Sequence, residues 1–140
     1  MFVDYTDDQK ALRREFRAYF SQLIKPEYRE ELRNAESGDL YKQLIRQQGK
    51  DGMLAVGWPE EYGGRGLTES EQLIRYEEAL LAGAPTPFVT LNTVGPSIIS
   101  RGTEEQKKQI QQATGKDASA IEVSVEELEE RVSPRATKLR

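Results

Sequence analysis

Apolar positions recur at helical spacing in blocks that glycine and proline separate. In the first block Leu12, Phe16, Tyr19, Phe20 and Leu23 fall on one face, and Lys10, Arg13, Arg14 and Arg17 fall on the remaining surface. Thr6-Asp7-Asp8-Gln9 precedes it in the Thr-x-x-Gln form of a capping box, which satisfies the free amides at a helix start. Pro26 ends this helix, because the residue before a proline avoids helical backbone. A polar connector over 27–38 has room for one helical turn. A second helix from Asp39 to about Asp51 then presents Leu40, Leu44 and Ile45 before Gly52 breaks it.

After the short apolar stretch Met53-Leu54-Ala55-Val56, residues 57–66 hold four glycines and one proline in ten positions, which neither a helix nor a central strand tolerates. Thr68-Glu69-Ser70-Glu71 is a second capping box. It opens a helix to about Ala82 whose apolar face reads as Leu73, Ile74, Tyr76, Leu80 and Leu81, with Gly83 closing it. Pro85 and Pro87 fix an extended elbow. A helix from about Phe88 to Ser100 carries Leu91, Val94 and Ile98, with Pro96 marking either a kink or a later start. Gly102 ends it, and Thr103-Glu104-Glu105-Gln106 caps a very polar helix to about Ala113. Beyond it, Ile121, Val123 and Val125 alternate as in a strand, whereas Ser124 and Glu127 could instead cap a short helix. Residues 131–140 hold four basic and no acidic side chains and read as a fraying end. The pattern predicts an all-α fold of about five helices over residues 1–113, followed by a divergent tail at 114–140.

Composition narrows the chemistry. The 140 residues are 36% hydrophobic and 31% charged, enough for one modest core. The absence of cysteine excludes disulfide scaffolds and thiolate zinc sites, and the absence of histidine excludes Ser-His-Asp catalysis and imidazole metal sites. A pI near 5.1 with no basic stripe argues against nucleic acid. No apolar run approaches the ~20 residues of a membrane helix and no signal-peptide core opens the chain, which leads to the expectation of a cytoplasmic protein. Gly63-Gly64-Arg65-Gly66 matches neither the P-loop nor the dinucleotide fingerprint and reads as a tight turn. The acidic neighbours Glu60-Glu61, Glu77-Glu78, Glu126-Glu127 and Glu129-Glu130, like Arg13-Arg14, read as solvated faces, since adjacent residues on a helix point in different directions. Taken alone, these residues support a helical module, with no catalytic, cofactor-binding or metal-binding residue.

The order of the elements resembles a known family. Gly57-Trp58-Pro59-Glu60-Glu61-Tyr62-Gly63-Gly64-Arg65-Gly66, a helix with Glu77-Glu78-Ala79, the segment Asn92-Thr93-Val94-Gly95-Pro96 and Gly102-Thr103-Glu104-Glu105-Gln106-Lys107-Lys108 occur in the order and spacing of the N-terminal helical domain of the acyl-CoA dehydrogenases. The stretch from Pro85 to Pro96 further resembles actinobacterial members acting on bulky substrates, including steroid side-chain CoA thioesters. The resemblance runs to about residue 110, where Gln109-Ile110-Gln111-Gln112-Ala113-Thr114-Gly115 departs from the family pattern.

The resemblance implies a flavoprotein of fatty acid or steroid catabolism. In that family FAD takes a hydride from the β carbon of an acyl-CoA while a glutamate removes the α proton. Both the flavin site and that glutamate belong to other domains, so the chain alone is expected to be inactive and free of FAD. By position, Thr86, Val89, Thr90 and Thr93 are expected to line the substrate pocket, with plain core the competing reading for Val89. Homo- or hetero-oligomeric assembly is expected as well. Surfaces awaiting the other domains are expected to expose Trp58, Leu91 and Ile98, and to favour self-association or marginal stability. Two other readings stand beside this one: a non-catalytic assembly module that docks on a full-length dehydrogenase subunit, and an unrelated helical bundle with a structural role.

Overall fold

Threonines set where three of the helices begin. A computed structural model describes residues 4–34 and 38–114, with side chains through residue 112. It contains six α-helices: α1 (Asp7–Leu23), α2 (Tyr28–Asn34), α3 (Asp39–Lys50), α4 (Glu69–Ala82), α5 (Gly95–Arg101) and α6 (Glu104–Thr114). No strand occurs among the described residues, so the all-α expectation is met. At the start of α1 the Thr6 hydroxyl accepts the Gln9 N–H at 3.2 Å, and the Gln9 side chain accepts the Thr6 N–H at 3.0 Å. Thr68 with Glu71, and Thr103 with Gln106, repeat this reciprocal pair at α4 and α6. The connector after Pro26 is more regular than expected, forming the seven-residue α2. The expected strand or helix after residue 120 lies outside the described residues.

Two apolar clusters hold the elements together. Phe16 and Phe20 of α1 pack with Ile74 and Ala79 of α4 and with Val56 from the loop before it. Ile45 of α3, Leu54, Trp58, Tyr62, Leu91 and Ile110 of α6 form the second cluster. Tyr62 closes the 3-10 turn Glu60–Tyr62, and next to it Gly64 lies so near the chain that a Cβ there would sit 1.8 Å from the Trp58 carbonyl oxygen. Gly57 of the same loop passes close to a helix, since a Cβ there would sit 2.0 Å from the Gln72 side chain of α4.

The face expected for α4 is only partly the buried one. Ile74, Arg75, Glu78 and Ala79 are buried, whereas Leu73, Leu80 and Leu81 are 54%, 81% and 71% exposed. This helix is apolar on two sides, and α1 covers the side carrying Ile74. The reading of Glu77-Glu78 and Arg13 as solvated is also corrected. Glu78 is 2% exposed and receives Arg17 Nε and Nη2, each at 2.9 Å, while Arg13 pairs with Glu77. These pairs join α1 and α4 by charge as well as by phenylalanine, and Arg13 also lies 4.4 Å over the Tyr5 ring. Arg14 is exposed, as expected. Nor are Trp58 and Leu91 exposed: each is 3% exposed and Ile98 is half-buried, because the loop and α6 fold over them.

Candidate functional site

The segment from Ala84 to Arg101 carries all four expected pocket residues, and its two ends are held by different means. At the elbow, Gln48 Nε2 donates to the Pro85 carbonyl at 2.9 Å. Arg75, fully buried, donates from Nη1 to the Thr86 hydroxyl at 3.2 Å, from Nε to the Met53 carbonyl at 3.0 Å and from Nη2 to Gln48 Oε1 at 2.6 Å. Its guanidinium lies 5.3 Å from the Phe20 ring centroid and 5.2 Å from that of Tyr76. Burial lowers Arg75 to about 10, which leaves it a cation at neutral pH, held by neutral oxygens and ring faces.

Beyond the elbow the helical backbone departs from the α pattern. Helical turns begin at Phe88, pass through a π-turn at Thr90–Val94 and continue as α5. The Gly95 N–H reaches five residues back to the Thr90 carbonyl, and Pro96 has no N–H to donate. The Leu91 carbonyl is thereby released from the helix, and Trp58 Nε1 donates to it at 2.8 Å. Asn92 ties the same turn to α4: Tyr76 Oη donates to its Oδ1 at 3.0 Å, and its Nδ2 donates to the Phe88 carbonyl at 2.9 Å.

The four expected residues are not gathered into one enclosed pocket in the described chain. The half-buried Thr86 has its hydroxyl engaged by Arg75, and it borders a groove of about 380 Å3 with Leu32, Tyr41, Leu80 and Pro85. Val89 is 63% exposed and follows Phe88, 59% exposed. Thr93 is exposed and Thr90 half-buried. The supports themselves (Gln48, Arg75, Tyr76 and Trp58) carried no functional signal in the sequence beyond the proline at 96.

The glycine loop offers no anion cradle. The N–H groups of Gly63, Gly64, Arg65 and Gly66 are all given to carbonyls of the same loop region, those of Glu60, Pro59, Val56 and Trp58. Among the described residues no acidic cluster is placed to hold a metal ion, and no helix is long and apolar enough to cross a membrane.

The model of the acyl-CoA dehydrogenase N-terminal domain matches residues 6–115. The chain belongs to the acyl-CoA dehydrogenase family. It is 49% identical over 112 residues to the acyl-CoA dehydrogenase FadE26 of Mycobacterium tuberculosis, an alignment covering 77% of this chain and 28% of that protein. Two solved structures are similar. The ChsE4-ChsE5 complex from Mycobacterium tuberculosis matches with TM-score 0.72 and 49% identity over 82% of this chain and 30% of that one. The Tcur3481-Tcur3483 steroid acyl-CoA dehydrogenase matches with TM-score 0.70 and 42% identity over 81% and 30%. The chain thus spans less than a third of the length of these relatives. Acyl-CoA dehydrogenases are FAD-dependent. The glycine run does not fit the flavin's phosphates, since the amides of residues 63–66 are committed to carbonyls of the loop region itself.

Proposed function

We propose that the chain serves as the N-terminal helical portion of a flavin-dependent acyl-CoA dehydrogenase that desaturates a bulky, steroid-type acyl-CoA thioester. In this reading Thr86, Val89, Thr90 and Thr93 border the acyl group. The outer face of α4 packs against other parts of the enzyme or a second subunit, homo- or hetero-oligomeric. Desaturation is carried out by groups outside the described residues, so the chain alone is inactive and flavin-free. The observation that carries the reading is the exposure of Leu73, Leu80, Leu81, Phe88 and Val89, each more than half exposed. Exposed apolar surface of this kind marks a covered face rather than a finished one. What supports Val89 and Thr93 as acyl neighbours is that Trp58 and Tyr76 hold their helix to the fold while their own side chains stay open. The steroid class rests on the likeness to the steroid acyl-CoA dehydrogenase.

The test is a chimera of Tcur3481-Tcur3483 in which the matched segment is replaced by residues 6–115 of this chain. The chimera is expected to load flavin and desaturate a steroid acyl-CoA. Val89→Arg in it is expected to raise KM about tenfold with little change in kcat, because a charge would be buried against an apolar acyl group. An active chimera whose KM is indifferent to Val89→Arg and Thr93→Arg would overturn the pocket assignment.

A further inference from the structure

We propose that Trp58 is a positioning residue for the substrate-facing helix: its indole fixes the register of the π-turn and so decides which side chains that helix presents. The role in substrate selection rests on the pocket reading above; the fixing of the register does not.

Two helical registers compete at residues 90–95. In a regular α-helix the Gly95 N–H would go to the Leu91 carbonyl. In the observed one it goes to Thr90, and the Leu91 carbonyl, on a residue only 3% exposed, needs another donor. Trp58 Nε1 is that donor, at 2.8 Å. Were the segment to revert to α, the Gly95 N–H would compete with the buried indole N–H for the Leu91 carbonyl. Trp58 thus weights the balance towards the π form through one hydrogen bond. Its ring adds a steric condition, because a Cβ at Gly95 would sit 2.0 Å from Trp58 Cζ2. Only glycine lets helix and indole approach this closely.

The register matters because a π-turn acts as a one-residue insertion. It rotates everything on its N-terminal side by about 100° relative to α5. Val89 and Thr90 lie on or before this turn, and α5 is anchored on the core by the half-buried Ile98 and Ile99. Loss of the indole donor would therefore turn Val89 away from its present outward direction. Trp58 need not touch the acyl group to set the shape of its wall.

The experiment replaces Trp58 in the full 140-residue chain with 3-benzothienylalanine, which keeps the bicyclic shape and lacks the N–H. Couplings across hydrogen bonds, read by NMR, report which carbonyl the Gly95 nitrogen faces. In the parent chain it is expected to couple to Thr90; in the variant this coupling is expected to be lost, with one to Leu91 taking its place. A folded variant that keeps the Thr90 coupling would overturn the proposal. Should the variant not fold, the steric half is tested separately. Gly95→Ala is expected to destabilise the chain when Trp58 is present and to be tolerated with Trp58→Phe, which removes the ring atoms in the way. Equal tolerance in both backgrounds would overturn the proposal. In the chimera, the benzothienyl substitution is expected to change the ratio of KM for bulky and short acyl-CoA about fivefold at constant kcat. A shifted register with an unchanged ratio would refute the pocket reading and leave the role of Trp58 in the turn standing.

Discussion

Arg75→Ala is expected to destabilise the chain by about 3–5 kcal/mol, read by urea or thermal unfolding. The substitution strips a donor from the Met53 carbonyl, the Thr86 hydroxyl and Gln48 Oε1 at once, and leaves a cavity between Phe20 and Tyr76. Domains of this size are stable by only about 5–15 kcal/mol, so the loss would take much of the total. Arg75→Met is expected to lose distinctly less, because methionine refills most of the space and removes the need to bury a cation with no carboxylate beside it. Equal losses for the two variants would show that the hydrogen bonds, rather than the volume, dominate the site. A loss below about 1 kcal/mol for Arg75→Ala would show that this network is not what holds the elbow.

Phe20→Ala is expected to cost a similar amount, about 3–5 kcal/mol, as a large-to-small change at a fully buried position between α1 and α4. Its effect should not add independently to that of Arg75→Ala, because the guanidinium lies over the Phe20 ring. The double variant is expected to lose less than the sum of the singles. Strict additivity in unfolding measurements would mean that the two side chains are energetically separate despite their contact.

What the sequence discloses, and what it hides, follows from how far each interaction reaches along the chain. The three capping boxes are local, each closing within three residues, and all three form where they are read. The first helix is equally legible, since its apolar stripe has one outlet and Phe16 and Phe20 are indeed fully buried. For α4, periodicity cannot choose between two apolar sides. The choice is made by α1, and it leaves Leu73, Leu80 and Leu81 outside. Polarity misleads at Arg75 and Glu78 for the same reason: Glu78 is buried by Arg17, 61 residues away, and Arg75 by Gln48, 27 residues away. The π-turn leaves only Pro96 as a trace, and the donor that completes it, Trp58, lies 33 residues upstream of the carbonyl it serves. Trp58, expected on a face exposed for other domains, is instead a buried support inside the fold.

The most direct measurement is the visible absorption spectrum of the purified chain, recorded beside that of the Tcur3481-Tcur3483 chimera carrying residues 6–115. The expected result is a colourless chain and a yellow chimera with stoichiometric oxidised flavin: a helical portion that completes a dehydrogenase without holding its cofactor. A chain that binds flavin stoichiometrically on its own, or a folded chimera that stays colourless, would contradict it.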